Sequence, residues 1–217
     1  MKKCTFLIPI GSGINGQLIS QFLSLQSWCD KNNSSILIVN GKPHNFARNY
    51  LATGGKGFLN PSPPDSEWLF WIDSDIIFTI EQIEDMMSID DSNKFCAGWY
   101  RSNSSDQVMC GLWDLDFFNK NLRIPFIAGK WIEQKAIENP NRFIEVDFTG
   151  FGFVKMHRDV ISNMNYPYFT LNIQKIGDYS DLSSEDVSFC LNCNDQTGIR
   201  PKIIPRLQVG HLKNHIY

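Results

Sequence analysis

Three stretches of the chain are almost continuously apolar: Cys4–Ile10, "SILIVN" (Ser35–Asn40) and "WLFWID" (Trp68–Asp73). Runs of this length, bounded by turn residues, predict strands buried on both faces of a sheet. Between them the pattern changes. A helical stretch near Gln17–Asp30 follows "GSGING", and "PHNFARNYLAT" predicts a helix closed by Gly54 and Gly55. "TIEQIEDMMSI" sets Ile80, Ile83, Met86 and Met87 at helical spacing behind Thr79, a residue suited to an N-cap. "NPSPPDSE" is a turn-rich connector. Strands alternating with helices predict an α/β fold with a mostly parallel central sheet flanked by helices.

The second half has a different texture. "KFCAGWYRS", "QVMCGLWDLD", "RFIEVDF", "FGFVKM" and "PKIIPRLQV" predict strands, with short helices at "HRDVISNM" and "SSEDVSFCLNCND". The expectation is an α/β first half and a mixed, site-building second half. No internal repeat or low-complexity segment interrupts the chain, and 217 residues suit a single domain spanning 1–217.

Composition narrows the field. A net charge of −3 and a pI near 5.8 argue against nucleic-acid binding through an overall positive field. No apolar run approaches the ~20 residues of a membrane-spanning helix. The start, "MKKCTFLIPIGSG", resembles a signal peptide only faintly, because the run Phe6–Ile10 is short and broken by Pro9. A cytoplasmic location is expected, host cytoplasm if the source is a virus. The six cysteines at 4, 29, 96, 110, 190 and 193 show no disulfide spacing and are expected to be reduced.

Four features carry candidate chemistry. Gly11, Gly13 and Gly16 match G-x-G-x-x-G after a strand and before a helix, the context of a dinucleotide-binding loop. However, the second strand ends in Asn40, not in the acid that would hold the ribose hydroxyls. Asp73 and Asp75 form a D-x-D at the end of the third strand. If that strand continues, both point to one face, where a divalent cation would relieve their repulsion; if it ends at Ile72, the pair is a solvated turn. A D-x-D nucleophile motif of the haloacid-dehalogenase type is a further alternative, with Ile77 at its fifth position. Glu185 and Asp186 open a helix in which Ser183 and Asp186 also fit a capping box. His211 follows the last strand, and Cys190 and Cys193 fit two small side chains facing a core better than half a zinc site.

The order of these features, from the glycine loop through "FARNYLA", the D-x-D, "DFTGFGFVKMHRDV" and the "ED" helix to the late "GH", resembles the glycosyltransferases of GT-A fold, particularly the family 2-like inverting enzymes. The resemblance runs over essentially the whole chain. Through "TGFGFVKMHRDV" and "VGHLK" it also looks like the small glycosyltransferase domains of large DNA viruses and phages. It implies a nucleotide-binding part at about 1–78 and an acceptor and catalytic part at about 94–217. Pro9, Ile10, Gly11 and Asn40 would line the base and ribose, and Arg48 and Asn49 would lie near the diphosphate. Asp73 and Ser74 would contact the nucleotide, with Asp73, Asp75 and His211 as ligands of Mn²⁺ or Mg²⁺. Gly150 and Gly152 would lie under the donor sugar. Asp186 would be the catalytic base, with Glu185 beside it. The donor would be a UDP-sugar first, a GDP- or dTDP-sugar otherwise, and the acceptor a glycan or glycoprotein approached along aromatics such as Trp99, Tyr100, Trp113 and Trp131. A processive polysaccharide synthase is disfavoured by the absence of Q-x-x-R-W. Competing expectations are a Rossmann-type NAD-binding oxidoreductase, a sugar nucleotidyltransferase, and a non-catalytic nucleotide-sugar or glycan-binding module. The chain also fits one domain of a longer, multidomain protein.

Overall fold

The computed structural model describes residues 3–11, 13–102 and 106–212. Lys213, the last residue of "VGHLK", lies outside them. The strands run β1 (Cys4–Ile10), β2 (Ser35–Asn40), β3 (Trp68–Ile72), β4 (Ile76–Ile77), β5 (Phe95–Trp99), β6 (Gln107–Gly111) and β7 (Phe126–Ala128). They continue with β8 (Ile144–Glu145), β9 (Phe148–Thr149), β10 (Phe153–His157), β11 (Ile173–Ile176), β12 (Tyr179–Leu182), β13 (Lys202–Gln208) and β14 (Gly210–His211). The helices are α1 (Ile19–Lys31), α2 (His44–Ala52), α3 (Ile80–Ser88), α4 (Leu115–Asn121), α5 (Gly129–Glu138), α6 (Arg158–Ser162) and α7 (Glu185–Thr197).

Seven strands form the main sheet in the order β2-β1-β3-β10-β5-β13-β8. β1 pairs parallel with β2 and β3, and β5 parallel with β13; the three pairings made by β10 with β3 and β5 and by β13 with β8 are antiparallel. The sheet is therefore mixed, which corrects the expectation of a mostly parallel one. Continuous apolar strands report burial on two faces, and burial is blind to strand direction.

That burial is as expected. Successive side chains alternate faces, so Phe6, Ile8, Phe70 and Ile72 pack on one side with Leu25 and Trp28 of α1 and Ile83 and Met86 of α3. Leu7, Leu69, Trp71 and Val154 pack on the other with Ala47 and Leu51 of α2, Ile161 of α6 and Phe189 of α7. Thr79 caps α3 in a full capping box with Gln82. All six cysteines are free and buried, Cys190 and Cys193 facing the core. Among the described residues no helix is long and apolar enough to cross a membrane.

The second half departs from the pattern more often. "RFIEVDF" is not one strand: β8 joins the main sheet and β9 a small sheet with β6 and β7. The break falls at Asp147, whose carboxylate accepts the Trp113 N–H and pairs with Arg200. "QVMCGLWDLD" ends its strand at Gly111, and Asp114 then caps α4 by accepting the Phe117 N–H.

Asn49, expected near the diphosphate, is instead a buried pin. Its amide oxygen accepts the N–H groups of Tyr168 (2.8 Å) and Phe169 (3.0 Å), and its nitrogen donates to the carbonyls of Phe169 (2.6 Å) and Asn45 (2.9 Å). With its polar atoms occupied, it ties α2 to the 168–169 segment. Asn49→Ala should leave two buried N–H groups unpartnered and destabilise the fold by about 1–3 kcal/mol. Urea unfolding would show this as a lower midpoint at unchanged slope; an unmoved midpoint would refute the pin.

Candidate active site

Three elements meet at the carboxyl edge of the sheet, where open α/β sheets hold ligands. The chain leaves β3 at Ile72 and turns at once: the Asp73 N–H donates to Gly152 O (3.0 Å) and the Ile76 N–H to Asp73 O (3.1 Å). The turn undoes the strand alternation, so the two aspartates part. Asp73 faces α2, and Asp75 faces the last strand.

Asp75 meets His211 because the backbone brings them together. β4 and β14 pair antiparallel, with His211 opposite Ile76, and the Leu212 N–H donates to Asp75 O at 2.7 Å. Gly210 permits this approach, since a Cβ there would lie 2.9 Å from Cβ of Ile77. His211 Nε2 then sits 3.2 Å from Asp75 Oδ2, and its Nδ1 is buried without a hydrogen-bond partner. Tyr100 packs its ring edge-on at 5.0 Å from the imidazole.

Pro9, Gly11, Asp73, Ser74, Asp75 and His211 line one cleft of about 400 Å³. Gly13, Asn15 and His44, the first residue of α2, also line it. His44 was not foreseen, since a histidine opening a helix carries no sequence signal of its own. Ile10 and Asn40 are register partners at the ends of β1 and β2, and neither is among the cleft-lining residues. Ile10 turns its side chain into the core, and Asn40 is exposed. The glycine fingerprint lacks the packing of a dinucleotide site: a Cβ on Gly16 would meet nothing within 4 Å, whereas the third glycine of such a loop exists for close helix–strand contact.

Behind the cleft lies Arg48, 1% exposed. Asp73 engages its fork, with Oδ1 3.1 Å from Nη1 and Oδ2 accepting from Nη2 at 3.2 Å. Nε lies 3.0 Å from Asp186 Oδ1 and 3.5 Å from Glu185 Oε1. The rings of Trp71, Phe151 and Phe169 surround the guanidinium, their centroids 6.0, 5.4 and 6.0 Å from Cζ. One cation thus faces three carboxylates in a poorly solvated place. The surplus negative charge is relieved at Asp186, where burial pushes the carboxyl up to about 7; Arg48 and the Phe151 N–H oppose the rise, and Glu185 and Asp73 add to it.

Asp186 does not serve the capping box expected with Ser183. Ser184 is the N-cap, one residue later, and accepts the Val187 N–H, which frees Asp186 for Arg48. Gly150 and Gly152, expected under a donor sugar, are occupied by a neighbour instead: added Cβ atoms would lie 2.5 Å from the Tyr100 hydroxyl and 2.7 Å from its ring. Of the expected acceptor aromatics, Trp99 and Tyr100 are buried, while Trp131 is 44% exposed and Trp113 lines an apolar cavity of about 450 Å³ between α4 and the β11–β12 hairpin.

With this geometry in hand, comparison with known proteins adds the fold class. No known family model and no curated protein matches the chain. Among solved structures it is similar to A197 from STIV, with a TM-score of 0.57 and 16% identity over 99% of this chain and 87% of that one. It is also similar to GalNAc-T7, solved with UDP, GalNAc and Mn²⁺, with a TM-score of 0.55 and 10% identity over 99% of this chain. The chain spans 44% of the GalNAc-T7 chain. At these identities the likeness is one of fold, and it agrees with the GT-A resemblance of the sequence.

The Asp186 carboxyl links stability to pH. Its folded value near 7 stands above an ordinary aspartate value of about 3.9. Between the two the folded chain holds more protons than the unfolded one, so this group costs stability as pH rises through the window and adds no further slope above about 7. Asp186→Asn should flatten the stability curve relative to wild type over that range. Urea melts at several pH values would test it, and parallel curves for the two proteins would contradict it.

Proposed function

We propose that the chain is a glycosyltransferase, moving a sugar from a nucleotide-sugar donor to a hydroxyl of a glycan or glycoprotein acceptor with inversion at the anomeric carbon. One observation carries it: an aspartate–histidine pair lines the cleft at the sheet edge, while a carboxyl with elevated proton affinity stands behind the same turn on a separate helix. The first suits a diphosphate with its counter-ion, and the second suits a hydroxyl proton.

Asp75 and His211 fit a divalent cation as a partial set. Their donor atoms already meet, and Mg²⁺-type sites commonly use one or two protein ligands completed by substrate phosphates. Among the described residues no cluster of three or more His, Cys, Asp or Glu side chains stands ready for a metal. Asp73 is committed to Arg48 and is left out of this set. A bound Mn²⁺ or Mg²⁺ would offset the negative charge that develops on the leaving nucleoside diphosphate.

The protein's own residues account for the rest. Pro9, Gly11 and Ser74 border the nucleotide, and the UDP of the GalNAc-T7 structure supports a UDP-sugar before a GDP- or dTDP-sugar. Asp186 accepts the acceptor proton as the new oxygen–carbon bond forms and the bond to the diphosphate breaks; general bases of this kind contribute ~10²–10⁴-fold. Since Asp186 must be ionised, the acid limb of kcat/KM should inflect near 7.

The test separates the two halves. Asp75→Ala should abolish metal-dependent donor binding in calorimetry with UDP-, GDP- and dTDP-sugars, with and without Mn²⁺. Asp186→Asn should bind donor as wild type does and lose ~10²-fold or more in transfer. Wild-type donor affinity in Asp75→Ala would remove the metal assignment. Donor binding with no turnover in the wild-type protein would point to a binding module, and tight NADH binding without metal to an oxidoreductase.

A further inference from the structure

We infer that Arg48 is a positioning residue which holds the Asp186 carboxylate in register with the cleft wall and does not itself touch the donor. The inference rests on the glycosyltransferase proposal, and it departs from the diphosphate contact that the sequence resemblance implies for Arg48.

The surroundings of the guanidinium leave no room for a phosphate. Its edges are taken by Asp73, Asp186 and Glu185, and aromatic rings from β3, the 150–152 loop and the 168–169 segment crowd around it. It is 1% exposed and is not among the residues lining the cleft. Asp73, by contrast, touches both the cleft and Arg48. Arg48 is thus the link between an element that borders the donor and the helix that carries the base.

Asp186 is fixed from two sides: the Phe151 N–H donates to Oδ2 at 3.2 Å, and Arg48 Nε stands 3.0 Å from Oδ1 without hydrogen-bond alignment. The charged or titratable groups around it are Arg48 from α2, Asp73 after β3, Glu185 and Cys190 on α7, and the Tyr100 phenol after β5. Arg48 is the cation of this set. Its removal would leave the carboxylates facing one another, and its replacement by lysine would keep a charge but lose the fork that spans Asp73 and Asp186.

The experiment uses the full chain with ¹³C-labelled aspartate carboxyls, the Asp186 signal being the one lost in Asp186→Asn. In Arg48→Met the Asp186 titration midpoint should move up, and in Arg48→Lys it should return part of the way. In steady-state assays Arg48→Lys should lower kcat by about tenfold or more while the donor KM stays within about threefold, the split expected when an interaction serves the transition state and not donor binding. Three results would overturn the inference: an unmoved midpoint in folded Arg48→Met, a raised donor KM at unchanged kcat in Arg48→Lys, or wild-type kcat and midpoint in Arg48→Lys. If Arg48→Met does not fold, the lysine variant decides alone. If the wild-type chain turns over no donor, the glycosyltransferase proposal fails, and the titration still decides whether Arg48 governs Asp186.

Discussion

A single buried cation organises the site. Arg48 reaches from α2 under the turn after β3 and against the first turn of α7, three elements far apart in sequence. Burying a guanidinium is costly unless it is paired and its hydrogen-bonding edges are met, so its carboxylate partners are a condition of the fold as well as features of the site. The pairing is also unbalanced. Three carboxylates share one positive charge, and the structure absorbs the excess by letting Asp186 keep its proton to about pH 7. The electrostatics that stabilise the core and those that suit a proton acceptor are one arrangement.

The aspartates of the D-x-D divide between two tasks because the backbone turns between them. A continuing strand would have pointed both at one ligand. Instead Asp73, at the cleft wall, is paired with a permanent counter-ion behind it, while Asp75 meets His211. The β4–β14 pairing makes the second arrangement possible, and it depends on Gly210, where any side chain would strike Ile77.

Much of this was legible in the residue pattern. The strands β1 to β3 and the helices α2 and α3 followed from apolar runs and capping signals, because each is dominated by local pattern and burial. The family resemblance grouped Pro9, Gly11, Ser74, Asp75 and His211 at one site, and the fold brings these residues to one cleft. What the pattern hid was pairing. Strand direction leaves no mark on a strand buried on both faces, so antiparallel β10 went unforeseen. Asn49 stands next to Arg48 in sequence, yet helix geometry turns it to the 168–169 backbone. Gly150 and Gly152 look like room for a ligand until Tyr100, about 50 positions away, is seen filling it. The capping serine of α7 was misplaced by one residue, and that residue decides whether Asp186 serves the helix end or Arg48.

The antiparallel insertion of β10 is what unites the site. To enter the sheet between β3 and β5 in that direction, the chain must arrive at the carboxyl edge of β3, and the loop that delivers it is 150–152. That loop touches both halves: the Gly152 carbonyl accepts from the Asp73 backbone, the Phe151 N–H donates to Asp186, and the Phe151 ring packs beside Arg48. Tyr100, lodged against Gly150 and Gly152, extends the contact to the His211 ring. A parallel strand in the same place would arrive from the opposite edge and leave the aspartate turn and α7 without a shared neighbour. The mixed character of the sheet is therefore a requirement of this site, since it carries one short loop to the point where the cleft, the buried cation and the candidate base meet.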